Sequence, residues 1–401
     1  MTDKFLCDFR FLLLAAAVAF IYIQMCLFTT QSKYADRLAN AVEAETRCTS
    51  QMRKLIDQIS MQQSRIVDLE VKGLQRRMDK IQTPVAAVVI MACNRADYLE
   101  RTIKSILKYQ NAVASKYPLF VSQDGSDPQV REKALSYDQL THMQHLDSKP
   151  VQTERPGELI AYYKIAHDME IAPDFFDYFE AAAALMEKDK TIMAVSSWND
   201  NGQKQFVHDP EILYRSDFFP GLGWMLTKST WNELSPKWPK AYWDDWLRLQ
   251  ENHKGRQFIR PEVCRTYNFG EHGSSLGQFF RQYLEPIKLN DVQVDWKSKD
   301  LSYLMEDEYI KHFAEILKNA KPINGADAVL KASNVQGDVR VHYKDQPDFE
   351  RIARQFGVFQ EWKDGVPRTA YKGVVVFRYP PPRRVFLVGP KSFELLGIKS
   401  V

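Results

Sequence analysis

VAAVVIMAC, residues 85–93, decides how this chain is read. It is a continuous apolar run rich in valine, as expected of a strand buried on both faces of a parallel sheet. Pro84 marks the change of texture ahead of it, and Asn94 behind it can cap a helix over ADYLERTIKSILKYQ, residues 96–110. A second short strand, PLFVSQDGSD (118–127), ends in Asp124 and a turn. Strand, helix and strand in this order, with polar residues at the strand ends, predict a βαβ unit in an open α/β sheet. Such sheets bind ligands at the carboxyl ends of their strands, which is where Arg95 and Asp124 fall. By spacing alone, Arg95 reads equally as a surface arginine and Asp124 as a turn residue.

Downstream, residues 191–286 hold four polar–aromatic clusters: SSWNDNGQ, YRSDFFPGLGWML, WPKAYWDDWLR and FGEHGSSLGQFF. Rings stack on the apolar faces of sugars while carboxylates and amides take the hydroxyls, so the clusters suit carbohydrate recognition. Plain core with capped turns is the competing reading, and four clusters in so short a span weigh against it. From about residue 325, the runs DVRVHY and GVVVFRYPPPRRVFLV predict β-strands in a smaller terminal module.

Upstream, Phe11–Phe28 (FLLLAAAVAFIYIQMCLF) carries no charge and just reaches the length of a bilayer span. It lacks a small-x-small cleavage site, which favours an uncleaved signal anchor over a removed signal peptide. Residues 31–83 are polar and helix-prone. Met52, Leu55, Ile59, Ile66 and Leu69 sit near a/d spacing, interrupted at Gln62, which suits a short coiled-coil stem or a solvated single helix. Cys48 could bridge two chains there or stay free. Lys and Arg number 54 against 51 Asp and Glu, a net charge of +3, so no basic stripe argues for nucleic acid. No Asn-x-Ser/Thr sequon occurs.

The ordered set VVIMACNRADYLERT, VSQDGSD, TERPGELIAYYKIA, DMEIAPDFFDYF, SSWNDNGQKQFV, DFFPGLGWML, WPKAYWDDWLR and FGEHGSSLGQFF resembles the N-acetylglucosaminyltransferase I family, its plant forms above all. The resemblance runs from the short tail to the carboxyl terminus. It implies a GT-A-type nucleotide-sugar-binding α/β domain followed by a smaller C-terminal domain. The implied donor is UDP-GlcNAc, used with Mn²⁺. The implied acceptor is the α-1,3-mannose arm of an oligomannose N-glycan, joined through an inverting β-1,2 transfer that starts hybrid and complex glycans. By matching motif, Arg95 and Asp124 would contact the uridine diphosphate, Ser275 the donor phosphates, and Asp244 would be the catalytic base. Flanking Trp243 and Trp246 would partly desolvate Asp244 and raise its pKa. The family also implies a Golgi type II membrane protein with a lumenal catalytic part and stem-mediated homodimers or enzyme association. The corresponding segments are a tail at 1–10, a span at 11–28, a stem at 29–83, a GT-A-like domain at 84–286 and a C-terminal domain at 287–401.

One place departs from the family. At KIAHDMEIAPDFF (164–176) the relatives run through a long helix and a buried strand that ends in Glu-Asp-Asp, directly before MEIAPDFF. Here only His167 and Asp168 stand between Ala166 and Met169. Asp168 keeps the place of the metal-ligating last acid, and the acids before it have no counterpart. His167 reads either as the counterpart of a histidine the family keeps near the nucleotide or, the reading favoured, as a junction residue without a role. Glu170 and Asp174 read as the start of the next helix. A direct junction cannot reproduce a parallel crossover, which needs at least roughly 10–12 residues. Either a central strand is lost from the sheet or YYKIA leaves its helix to replace it. The alternative functions are therefore a catalytically inactive, Golgi-anchored isoform and, more weakly, another α/β enzyme such as a hydrolase.

Overall fold

The computed structural model describes residues 16–33, scattered positions between 37 and 56, and then 85–110, 114, 116–145, 161–166, 168–239, 242–272, 277, 279–331 and 336–399. The chain divides into two units, Met1–Ile81 and Gln82–Val401. In the first, residues 16–33 are helical with Phe20, Ile21, Tyr22 and Ile23 exposed. Among the described residues no helix is long and apolar enough to cross a membrane. Residues 11–15 of the expected span, Cys48, and most of the expected heptad positions (Leu55, Ile59, Gln62, Ile66 and Leu69) lie outside the described residues.

The second unit is built as VAAVVIMAC predicts. Strand β1 (Ala86–Ala92) leads into helix α1 (Ala96–Gln110), then β2 (Leu119–Asp124), α2 (Pro128–Leu135) and β3 (Leu140–His145). Leu99, Ile103 and Ile106 recur at helical spacing on α1 and are fully buried in the cluster that holds Val88, Ile90 and Val121 of β1 and β2. The first helical bond is accepted by the carbonyl of Arg95, so Arg95 rather than Asn94 stands at the capping position. Pro128 pre-sets the first turn of α2, and the Asp127 carboxylate accepts from the amides of Gln129 and Val130.

Next come β4 (Ala161–Ala166), β5 (Met169–Ile171), α3 (Phe175–Lys188), β6 (Ile192–Ser196), β7 (Leu213–Ser216), β8 (Trp224–Thr227), α4 (Lys228–Leu234), α5 (Trp243–Arg248), α6 (Gln250–His253), β9 (Gln257–Pro261) and β10 (Thr266–Asn268). Eight of the strands form one mixed sheet in the order β3-β2-β1-β4-β8-β6-β9-β7. Of the two outcomes open for the shortened junction, the chain takes the second. AYYKIA is a strand in the middle of the sheet, parallel to β1 from Ala86↔Ala161 to Met91↔Ala166. On its other side it runs antiparallel to β8, from Ala161↔Thr227 to Lys164↔Trp224. The physical reason is the ladder: β1 and β8 would otherwise each leave a buried row of backbone donors and acceptors unpaired.

Beyond the junction, Glu170 departs from the helix start expected of it, while Asp174 stands at that start. Glu170 lies on β5, which pairs with β10, and its carboxylate takes Arg101 Nε of α1 at 2.7 Å. Asp174 does occupy the position before α3, but its side chain caps nothing. It is fully buried and accepts from Arg265 at 3.1 Å, Asn290 at 2.8 Å and the Trp296 indole at 2.8 Å. A carboxylate removed from water demands that full set of partners.

The remaining elements are α7 (Glu306–Asn319), β11 (Lys321–Pro322), α8 (Ala326–Lys331), β12 (Val339–His342), α9 (Gln346–Phe356), β13 (Trp362–Lys363), β14 (Val366–Pro367), β15 (Val374–Arg378), β16 (Arg384–Val388) and α10 (Ser392–Leu395). DVRVHY supplies β12, and GVVVFRYPPPRRVFLV supplies the antiparallel pair β15–β16, all within a four-stranded sheet ordered β11-β12-β16-β15. Arg378 of β15 pairs with the buried Glu262 at 2.9 Å, fastening this sheet to the segment after β9. Cys93 and Cys264 are free thiols, and burial pushes that of Cys264 up to about 12.

Candidate active site

Three adjacent parallel strands, β2, β1 and β4, present their carboxyl ends side by side. Asp124 ends β2, Arg95 follows β1 after two residues, and Asp168 follows β4 after one. The chain leaves β1 toward β2 on one side and has β4 on the other, the kind of switch point where open α/β sheets form a ligand crevice. The structure thus brings together three of the five residues singled out in the sequence. Ser275 and His167 lie outside the described residues.

Arg95 and Asp168 are in contact. Arg95 Nη2 lies 3.1 Å from Asp168 Oδ2, with 22% and 13% of the two side chains exposed. Arg95 Nη1 donates to the carbonyl of His272, and the guanidinium stands 4.6 Å over the Tyr98 ring. Tyr98 meets Phe269 edge to face at 5.4 Å, and Arg101 stands 3.9 Å over Phe269, so α1 grips residues 269–272. Gly270 presses on the carboxylate, since a Cβ at this position would meet Asp168 Oδ2 at 2.3 Å. Asp168 Oδ1 is buried with no hydrogen-bond partner. A buried anionic oxygen without a donor calls for a cation or an ordered water. Among the described residues no group of three or more acids, histidines or cysteines could by itself hold a metal. A hard divalent ion at Asp168 would therefore draw most of its oxygen ligands from a bound diphosphate and water.

Asp244 stands elsewhere at the same end of the sheet. Because β8 is antiparallel to β4, its first residue, Trp224, lies level with Lys164 near the carboxyl end of β4. Trp243 stacks on Trp224 at 5.5 Å, and Trp238 lies 6.1 Å beyond Trp243. These rings anchor the short helix α5, whose first turn carries Asp244 and Asp245. The tryptophans do not desolvate Asp244, whose side chain is 43% exposed because the rings pack inward while the carboxylate faces outward. Arg248 Nη1 reaches Asp244 Oδ2 at 3.1 Å and Asp245 Oδ1 at 2.7 Å. Its Nε and Nη2 donate to the carbonyl of Phe219. Lys363 of β13 adds a second cation to Asp245. Burial alone would raise the Asp245 pKa, but Lys363 and Arg248 outweigh it and hold the carboxyl below its ordinary value. Tyr242, just before the helix, is 79% exposed with a left-handed φ of 53°, a conformation an L-residue adopts only under tertiary constraint.

Sequence reasoning missed three of these supports. Arg248 is legible in WDDWLR, being i+4 and i+3 from the two acids. Lys363 and Gly270 are not, because only the folded chain brings them to Asp245 and Asp168.

The fold and this crevice define a mixed α/β protein whose polar site lies at the carboxyl ends of the central strands. The GNT-I family model matches residues 14–83, 76–168 and 166–400, and the chain belongs to that family. The second and third matches meet at 166–168, the shortened junction. An Arabidopsis thaliana α-1,3-mannosyl-glycoprotein 2-β-N-acetylglucosaminyltransferase is 67% identical over 438 aligned positions, covering 98% of this chain and 99% of its own. That alignment is longer than the 401-residue chain, so part of the relative has no counterpart here. Among solved structures, a Pyrobaculum calidifontis mannosyltransferase in complex with GDP-Man and Mn²⁺ is 17% identical. It matches with a TM-score of 0.34 over 60% of this chain and 66% of its own. Staphylococcus aureus TarS in complex with UDP-GlcNAc is 14% identical, with a TM-score of 0.32 over 59% of this chain and 67% of its own. Both likenesses are too slight to bear on chemistry.

Proposed function

We propose that this chain transfers GlcNAc from UDP-GlcNAc to the α-1,3-mannose arm of an oligomannose N-glycan, forming a β-1,2 linkage, from a GT-A-type domain. The observation that carries the reading is the 67% identity to the plant transferase across nearly the whole chain.

In this reading Asp124 and Arg95 hold the uridine diphosphate, with Ser275 on its phosphates. Asp168 is the residue that would hold Mn²⁺, through its unpartnered oxygen. When bound there, the ion offsets the charge that gathers on the departing diphosphate. Asp244 takes the proton of the acceptor hydroxyl as that oxygen attacks the anomeric carbon. The new glycosidic bond forms as the bond to the β-phosphate oxygen breaks, so one displacement inverts the configuration and UDP leaves as the anion. Exposure suits Asp244 to this task, since a bulky glycan must reach it. Asp245, engaged by both Lys363 and Arg248, is occupied in holding the helix.

The apolar run at 11–28 and the helical residues after it support a further proposal of a type II Golgi membrane protein. In it the span and stem at 1–83 precede a lumenal body, divided near 286 into donor-binding and C-terminal parts. The transfer itself is tested with UDP-GlcNAc, Mn²⁺ and a five-mannose acceptor, comparing the chain with its Asp244→Ala variant. Turnover above the variant sustains the proposal, whereas equal turnover replaces it with the inactive, membrane-anchored isoform.

A further inference from the structure

Arg95 and Asp168 are each suited to a different part of a metal–diphosphate ligand, yet in the structure they are bound to one another. The guanidinium is fixed on three sides, by Asp168 Oδ2 at 3.1 Å, by the His272 carbonyl and by the Tyr98 ring. The carboxylate is fixed by Arg95 and by the close approach of Gly270, while its second oxygen remains buried and unpartnered. One positive charge thus already lies against Asp168, the acid that follows the carboxyl end of β4.

We propose that Arg95 is a stand-in cation, which keeps a divalent metal off Asp168 until a nucleoside diphosphate draws the guanidinium away. This rests on the reading of Asp168 as a metal ligand. Two physical arguments support it. A carboxylate half neutralised by arginine, with one oxygen free, is a poor site for an ion that wants six or more oxygen ligands. A guanidinium, for its part, prefers the paired oxygens of phosphate, on which it makes short, charge-assisted bonds. A diphosphate therefore does two things at once: it gives Arg95 a better partner, and it brings the oxygens that the ion lacks. Metal and diphosphate must then strengthen each other's binding by the same factor, because such coupling is reciprocal.

The test is a titration of Mn²⁺ followed by electron paramagnetic resonance on the full chain in detergent, with and without UDP. The wild type is compared with the Arg95→Met, Arg95→Lys and Asp168→Asn variants, all checked for fold by circular dichroism. Without UDP, Arg95→Met is expected to bind Mn²⁺ about tenfold more tightly than the wild type, within the usual range of such couplings. UDP is expected to tighten both, since it brings oxygens the ion lacks in either, but to tighten the wild type by about tenfold more than Arg95→Met. Asp168→Asn removes binding in both conditions. If Arg95→Met fails to fold, Arg95→Lys carries the comparison, since its shorter, point-charge head relaxes the contact. The stand-in role is overturned, with the metal site intact, if the wild type binds Mn²⁺ with UDP but neither arginine variant gains affinity without it. If no variant binds Mn²⁺ even with UDP, the reading of Asp168 as a ligand falls, and the stand-in role with it.

Discussion

Lys363 Nζ lies 2.6 Å from Asp245 Oδ1, and that same oxygen receives Arg248 Nη1 at 2.7 Å. Neighbouring Asp244 meets Arg248 at 3.1 Å, and its side chain is 43% exposed. Two consecutive acids on one helical turn are thereby given different work. Replacing Asp244 with Asn should lower kcat by about 10²–10⁴-fold, the usual contribution of a positioned general base. Asp245→Asn should lower it by under about tenfold, because it alters the support and leaves the base in place. Steady-state kinetics on both variants checks the assignment, and a larger loss in Asp245→Asn would reverse it.

Asp189 offers a pH-dependent stability. Its carboxylate is 6% exposed and takes the fully buried Arg215 at 2.9 Å, the amide and hydroxyl of Thr191, and the amide of Glu306. Burial pushes its pKa up, but these donors outweigh burial and the net displacement is downward. A carboxyl with a depressed folded pKa stabilises above its unfolded value, near 3.9, and loses that contribution as pH falls through the folded value. Asp189→Asn should cost about 3–5 kcal/mol at neutral pH, since it strands Arg215 without its charge partner. It should also flatten the acid limb of the melting temperature plotted against pH. An acid limb as steep as that of the wild type would mean that other groups carry it.

The central place of AYYKIA gives a backbone prediction. Tyr163 is paired on both sides, with Val88 and with Met225. Tyr163→Pro removes a donor and leaves an interior carbonyl without its partner, at about 1–3 kcal/mol for each group so stranded. A marked fall in melting temperature is expected, and hydrogen exchange on the parent should show slow amides across 161–166. Fast exchange there would mean that this segment is not held in the sheet.

Gly270 tests the crevice by crowding. A methyl at this position would stand 2.3 Å from Asp168 Oδ2 and 3.1 Å from Asn268 Oδ1. Gly270→Ala should displace the carboxylate and weaken UDP-dependent Mn²⁺ binding by about tenfold or more, a loss above 1.4 kcal/mol. Calorimetric titration with an unchanged unfolding temperature would separate this effect from a general loss of fold.

The sequence made the local elements plain and the long-range contacts obscure. The valine run at 85–93, the helix over 96–110 and the strand ending at Asp124 are local patterns, and the structure keeps all three. The strands of GVVVFRYPPPRRVFLV were equally visible from their alternation, though their antiparallel pairing was not read. Asp174 stands at the start of α3 as its place in the sequence predicts, but its buried role could not be read. Its partners Arg265, Asn290 and Trp296 are remote in the chain, and an acid ahead of a helix resembles a cap. Asp244 and Asp168 were found through motif, but the exposure of the first and the arginine held against the second depend on packing that no spacing encodes.

The strand at 161–166 separates two kinds of inheritance. Its place in the sheet is secured by backbone ladders to β1 and β8, which ask only that a peptide be extended and of the right length. The chemistry at its carboxyl end asks for particular side chains. The short junction between Ala166 and Met169 therefore leaves the sheet whole, with the slot beside β1 filled by AYYKIA, and sets Asp168 at its carboxyl end. The place of the strand and the chemistry at its end thus rest on different parts of the chain: the first on the backbone of 161–166, the second on Asp168 and the arginine held against it.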